Sequence, residues 1–149
     1  MKKNSKDYLF VSIQFLLFFC FIFDFDWSIG FGSNIQKIGL LIAVFGGIII
    51  ILALLQLNKN LSPFPTPKNS TTLLQNGLYK YMRHPIYTGI ILFFTGYSLY
   101  QNSFYKLGIS LLLVILFYFK SNYEELRLEQ KFPDYVHYKN KTGKFFPWI

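Results

Sequence analysis

The sequence predicts an all-α polytopic membrane protein of about four transmembrane helices, closed by a cytoplasmic helical segment at the C-terminus. Three observations carry this. Half of the 149 residues are hydrophobic, and mean hydropathy is positive at +0.32. The apolar residues gather in four runs, at 8–23, 38–57, 86–100 and 104–119. Tyrosines and a tryptophan (Tyr8, Trp27, Tyr79, Tyr81, Tyr100, Tyr105, Tyr118, Tyr123) mark the run ends, as interfacial anchors do. A soluble chain would have too little polar surface to cover four such runs. The length suits one unit, so residues 1–149 are read as a single domain.

The first run has the basic start of a signal peptide. Asp24-Phe25-Asp26-Trp27 follows it, however, with no small-x-small cleavage pattern, so it is read as a retained helix. Cys20, the lone cysteine, lies inside this run and is read as a packing residue. The second run alone has the full ~20 residues of a spanning helix. Its Gly46-Gly47 pair would let another helix approach closely. In both of the first two helices polar groups are few, and the composition is lipid-facing.

Segment 58–84 changes character. Pro63, Pro65 and Pro67 alternate, which favours an extended, polyproline-like course along the membrane surface. Asn69-Ser70-Thr71-Thr72 then makes a polar turn. The third and fourth runs are separated only by a few residues around Gln101-Asn102-Ser103, so they form a tight antiparallel hairpin. Past residue 119 the helix continues, with Glu124, Leu128 and Phe132 recurring on one face. Pro133 ends it, Asp134 caps a short helix carrying Tyr135 and Tyr138, and Gly143 stops that one. Segments 58–84 and 120–149 are the parts expected to form the site.

Charge sets the orientation. With the N-terminus inside, 13 Lys and Arg residues are cytoplasmic, Lys59 and Lys120 among them, and only Lys37 and Lys106 lie outside, near Asp24 and Asp26. Both termini are then cytoplasmic. The net charge of +8 is explained by anionic lipid headgroups and calls for no nucleic acid. The Asn-x-Thr patterns at Asn69 and Asn140 fall on the cytoplasmic side and are discounted as glycosylation sites. The small size and lack of an evident retention signal suggest a bacterial-type plasma membrane.

Polar groups beside apolar spans are expensive, so clusters there point to function. One cluster runs from Gly77 through Tyr79, Arg83, His84, Pro85 and Tyr87 to Gly89. Pro85 suits the first turn of a helix, which leaves His84 at a helix start where unpaired N–H groups favour an anion. Arg83 offers a bidentate cationic fork, and Gly89 clears room for a ligand or another helix. Each of these residues alone also reads as a snorkelling or interfacial side chain. The second cluster, Glu124-Glu125-Leu126-Arg127, brings the opposite sign. A ligand with an anionic and a cationic end would satisfy both; a simple Glu124–Arg127 helical pair is the plainer alternative. His84 and His137 are far apart and there is no cysteine cluster, so no metal site is expected.

These two motifs, Gly77-x-Tyr79-x-x-x-Arg83-His84-Pro85-x-Tyr87-x-Gly89 and Glu124-Glu125-x-x-Leu128-x-x-x-Phe132-x-x-Tyr135-x-x-Tyr138 with a late Pro147, resemble the isoprenylcysteine carboxyl methyltransferase family. The related phospholipid N-methyltransferases share the pattern, which covers roughly residues 65–147. The resemblance implies an integral membrane enzyme using S-adenosylmethionine on a lipophilic or isoprenoid-like small molecule that enters from the bilayer, with a carboxylate as one acceptor. It implies that Tyr79, His84, Pro85, Tyr87, Gly89 and Glu124 hold the cofactor. Arg83, Glu125 and Arg127 would form the catalytic group, the two arginines orienting an anionic substrate group and Glu124 or Glu125 closing the polar site. Methyl transfer from a sulfonium is an in-line displacement, so such a site mainly needs positioning and exclusion of water.

Two other readings compete. Membrane sterol reductases, which bind NADPH, resemble this half too, but Ile86 and Ile90 stand where their motif has Asn and Glu. A non-catalytic membrane binding module is the third, and the intact polar run argues against it.

Overall fold

The structure, a computed structural model, describes residues 2–25 and 28–147, except for the side chain of Lys59; Asp26 and Trp27 of the sequence reading lie outside the described residues. Among these residues the α-helices are α1 (Ser5–Ile22), α2 (Ser33–Leu57), α3 (Pro85–Tyr100), α4 (Phe104–Lys131) and α5 (Tyr135–Lys141), and no named strand forms. Three of them, α1, α2 and α4, are long and apolar enough to cross a membrane. The third expected span, α3, has 16 residues, about 24 Å of helix. Pro85 fixes its start, and Asn102, at φ +55°, turns the chain just past its end. It nevertheless lies in the same layer, because it packs against both α2 and α4.

A glycine seam makes the α2–α3 contact. A Cβ on Gly46 would lie 2.5 Å from the Phe93 nitrogen, and one on Gly96 2.4 Å from the Ala43 nitrogen. Gly39 and Gly89 are equally tight, so two backbones touch where side chains would normally intervene. Gly47, the other half of the glycine pair, only meets the Phe93 ring at 3.8 Å. The hydrophobic core lies on the other side of α3, where Phe21 of α1, Ile90 of α3 and Ile109, Leu113, Leu116 and Phe117 of α4 pack together, with Cys20 against them. The outward faces of α1 and α2, including Phe15, Phe19, Leu41, Phe45 and Leu55, are exposed and apolar, as lipid contact requires.

At one end of the layer the α3–α4 hairpin closes onto the loop after α1. Lys106 pairs with Asp24 at 2.8 Å, Ser103 donates to the same carboxylate, and Asn102 ties Ser28 and Phe31. The hydrogen bond from Lys106 holds the Asp24 carboxyl below its ordinary range.

The opposite end carries the polar clusters, and there the structure revises four details of the sequence reading. The Pro63–Pro67 stretch does not run along the surface. It folds inward, Pro65 is fully buried, and Asp7 clamps it through the Thr66 N–H (2.8 Å) and hydroxyl (2.9 Å). Asp7 is thus a buried polar anchor in a helix whose composition is lipid-facing; it also completes a capping box with Asn4. Asp134 precedes α5, but its side chain makes no cap bond; its backbone carbonyl accepts from Tyr138 instead. Gly143 does not end α5 by a left-handed turn: α5 stops at Lys141, and Gly143 pairs alongside Met82. Tyr79 is not an interfacial anchor, since it turns inward and is 8% exposed.

Candidate functional site

Local geometry begins at Gly77. Its φ of +61° and the Gln56 side chain pressed against it leave no room for a Cβ. Gln56, near the end of α2, accepts from the Leu78 N–H at 2.9 Å, which fixes the one-turn 3-10 helix Gly77–Lys80. The chain then runs straight beside the C-terminal segment. The Arg83 N–H donates to Gly143 O at 2.9 Å and the His84 N–H to Lys144 O at 3.1 Å. The Thr88 hydroxyl reaches Phe145 O, and the Tyr138 hydroxyl reaches Tyr79 O. Backbone pairing therefore ties the first cluster to the C-terminal segment, and side chains join it to the second: Arg83 and His84 reach Glu125, and Tyr87 reaches Glu124.

At the centre sits Glu125, only 3% exposed. Its Oε1 accepts from Arg83 Nε at 2.9 Å and lies 3.1 Å from His84 Nε2, while Lys139 Nζ lies 3.3 Å from Oε2. Arg83 extends its fork to the carbonyls of Lys139 and Thr142. A buried carboxylate is costly unless paired in this way. Lys139 is held above its ordinary pKa, first by its hydrogen bond to Glu129 and then by Glu125.

The neighbouring Glu124 has a different environment. Its side chain is 27% exposed and receives one hydrogen bond, from Tyr87 Oη at 2.8 Å, with His84 Nδ1 at 3.8 Å. His84, Tyr87 and Phe117 form a run of parallel rings, with centroids 5.4 Å and 4.6 Å apart. His84 is therefore gripped edge-on by two carboxylates and face-on by an aromatic stack.

Two lobes of a cavity meet at this centre and share Leu57, Ser62, Tyr79, Arg83, His84 and Glu124 as lining. The smaller, about 100 Å³, runs under residues 64–74 to Leu128, Tyr135 and Tyr138. The larger, about 290 Å³, is walled by Leu61, Pro85, Ile86, Tyr87 and Ile90, with Gln14 and Lys120 at its edge. Together they approach the size of ordinary ligand pockets. Two hydroxyls lining the smaller lobe, on Tyr135 and Thr71, are buried and have no hydrogen-bond partner among the described residues. Burial pushes the Tyr138 phenol up to about 12 and those of Tyr79 and Tyr135 higher still, so all three remain neutral donors.

The site residues expected from sequence thus divide. Tyr79, Arg83, His84 and Glu124 line both lobes, and Pro85 and Tyr87 line the larger. Glu125 is adjacent but faces inward, away from the lining. Gly89 packs against Gly46 and Ile50 of α2, so it serves the helix contact rather than the cavity. Arg127 is not brought to the cluster: its guanidinium lies over the Tyr123 ring, donates to the Tyr123 hydroxyl at 2.8 Å, and reaches Gln130. The Glu124–Arg127 pair does not form, and Arg83 with Glu125 shows the two clusters satisfying each other without a ligand.

Several contributors were not singled out from sequence. Lys120 read as one more cytoplasmic charge, yet it is 1% exposed and sits at the cavity. Its spacing of four from Glu124 was the available signal. Lys131 pins the segment 64–74 that roofs the smaller lobe by donating to the carbonyls of Lys68, Asn69 and Thr71. Lys139 and the strand-like pairing of residues 143–144 carried no periodic signal at all.

The fold is similar to that of a polytopic membrane enzyme, the eukaryotic intramembrane Ras methyltransferase, isoprenylcysteine carboxyl methyltransferase. The TM-score is 0.72 at 21% sequence identity, over all of this chain and 55% of that one. This chain therefore spans about half the length of that structure. A sequence model of the phospholipid methyltransferases matches residues 35–134, from within α2 to the residue before α5. The chain belongs to the phospholipid methyltransferase family. A search of curated proteins found no match.

Proposed function

We propose that the protein is an S-adenosylmethionine-dependent membrane methyltransferase acting on a lipophilic small molecule, with residues 1–149 working as one unit. The observation that carries this reading is Glu124. It is a carboxylate at the junction of two lobes, part exposed, with a single strong hydrogen bond and, among the described residues, no lysine or arginine paired with it; the His84 ring nitrogen stands 3.8 Å away. Such a group is suited to a cationic ligand. When bound, S-adenosylmethionine supplies a methyl group on a sulfonium, which is a cation of that kind.

The residues present fit that donor. Glu124 would face the sulfonium, and the unpartnered hydroxyls of Tyr135 and Thr71 would meet polar atoms in the smaller lobe. Tyr79 and His84 would complete the walls of that lobe, and Pro85 and Tyr87 would border the donor from the larger one. The larger lobe, lined mainly by Leu57, Leu61, Ile86 and Ile90, would take the apolar tail of the acceptor from the bilayer. Arg83 and Glu125 act in this reading as a positioning pair that sets His84 and joins the C-terminal segment to α3, while Arg127 stays outside the reacting centre. A carboxylate acceptor needs no strong base; an amine would need one proton removed, for which Glu124 is placed. In this reading the cavity face and both termini lie on the cytoplasmic side of a plasma membrane; the basic residues around that face support the orientation.

Calorimetric titration of the purified chain in detergent tests this. S-adenosylmethionine should bind, and Glu124→Gln should weaken it by about ten-fold or more, the scale of one charge-assisted interaction. Radiolabelled methyl transfer to extracted membrane lipids would then name the acceptor. Binding of NADPH in place of S-adenosylmethionine would overturn the proposal in favour of a reductase.

A further inference from the structure

Lys120 lies in α4 directly after the apolar run, 1% exposed, at the edge of the larger lobe. Its Nζ donates to Gln14 Oε1 at 2.5 Å and to Pro63 O at 2.9 Å, and stands 5.4 Å from the centre of the Tyr87 ring. Both oxygens are neutral. An ammonium has three N–H donors, so two partners leave one over. The carboxylates whose field reaches it are Glu124 and Asp7, but neither is in contact with it. Asp7 is occupied by Asn4 and Thr66, and Glu124 by Tyr87. A buried ammonium with no contacting anion among the described residues is expensive beside a membrane span. Arg83, His84 and Glu124 also line this lobe, and Leu57, Leu61, Ile86 and Ile90 supply its apolar wall.

We propose that Lys120 determines the acceptor's charge: the larger lobe takes a lipophile with a carboxylate head, which completes the Lys120 hydrogen bonding, and rejects one with an ammonium head. The apolar wall of Leu61, Ile86 and Ile90 holds the tail, and Lys120 holds the head. A cationic head placed against Nζ would meet an ammonium that no anion contacts among the described residues, and be repelled, whereas Glu124 suits the cation of the methyl donor. Calling this ligand the methyl acceptor rests on the methyltransferase reading; the charge selection does not.

The test is equilibrium binding of radiolabelled oleate and of oleylamine to the full chain in detergent, with S-adenosylmethionine titrated in parallel. The wild-type chain should prefer oleate by about ten-fold, the scale of one charge-assisted hydrogen bond. Lys120→Gln should remove that preference by weakening oleate alone, Lys120→Arg should restore part of it, and S-adenosylmethionine affinity should not fall, since the charge lost is of the same sign as the sulfonium. Equal affinity for the two lipids in the wild-type chain overturns the proposal, and needs no variant to fold. So does an equal loss of both lipids in Lys120→Gln, which would make Lys120 a pin between α1, the Pro63 loop and α4. Loss of S-adenosylmethionine binding in that variant, with oleate unaffected, overturns it as well. A wild-type chain that prefers oleate but binds no S-adenosylmethionine would sink the methyltransferase reading and leave the Lys120 selection supported.

Discussion

Glu124 and Glu125 are identical residues one position apart, and the fold gives them different work. The helical step of about 100° turns Glu125 into the protein, where Arg83, His84 and Lys139 surround it, and leaves Glu124 at the cavity. Glu125→Gln removes the anion that Arg83 depends on. We expect a loss of about 3 kcal/mol, the lower end for breaking a buried pair, read as a fall in unfolding temperature in detergent. Glu124→Gln should leave that temperature nearly unchanged while weakening the cofactor. Tyr135→Phe makes the complementary case. Its hydroxyl has no partner among the described residues, so removing it forfeits none of the ~1 kcal/mol of an average hydrogen bond. The variant should be as stable as the parent and bind S-adenosylmethionine more weakly; unchanged affinity would remove Tyr135 from the site. Both carboxylates were visible in the sequence as costly groups at a span's end. Which of them faces inward was not, because that depends on what packs around α4.

At the scale of elements, the α2–α3 seam is the most exacting contact in the molecule. A Cβ at Gly96 would lie 2.4 Å from the Ala43 nitrogen and 2.6 Å from the Gly39 oxygen, both backbone atoms that cannot swing away. Gly96→Ala must therefore push the helices apart, at about 1–3 kcal/mol by the usual scale of overpacking. Gly47→Ala meets only a ring at 3.8 Å and should be near neutral. Thermal unfolding of the pair in one detergent checks the contrast, and equal losses would mean the seam is not rigid. Sequence marked Gly46 and Gly89 as places of close approach. It did not mark Gly39 or Gly96, since isolated glycines within apolar runs carry no register until the partner helix is known. The helix ends were legible where a proline or a charge sets them, as at Pro85 and Pro133. They were missed where a hydrogen bond sets them, as at Asn4 with Asp7.

The whole molecule is polarised between its two ends. One closes on the Asp24–Lys106 pair; the other gathers the start of α1, the end of α2, the start of α3 and the C-terminal segment around the cavity. That the two polar clusters would meet followed from their positions on either side of one hairpin. That residues 63–71 would become the roof of the cavity did not, because their anchors, Asp7 at Thr66, Lys120 at Pro63 and Lys131 at Asn69, come from helices far away in sequence. The distribution of charge then makes a prediction for the membrane. Only Lys37 and Lys106 lie towards the hairpin end, so that end should face outward. Ser70 on the roof and Asn34 at the start of α2 are both exposed and sit at opposite ends. With Cys20 replaced by alanine, a cysteine at 34 should react with a membrane-impermeant maleimide added to intact cells. A cysteine at 70 should react only after the membrane is opened. The reverse pattern would place the cavity on the outer face, away from the intracellular pool of a charged methyl donor that does not cross a bilayer unaided, and the methyltransferase reading would fall with the orientation.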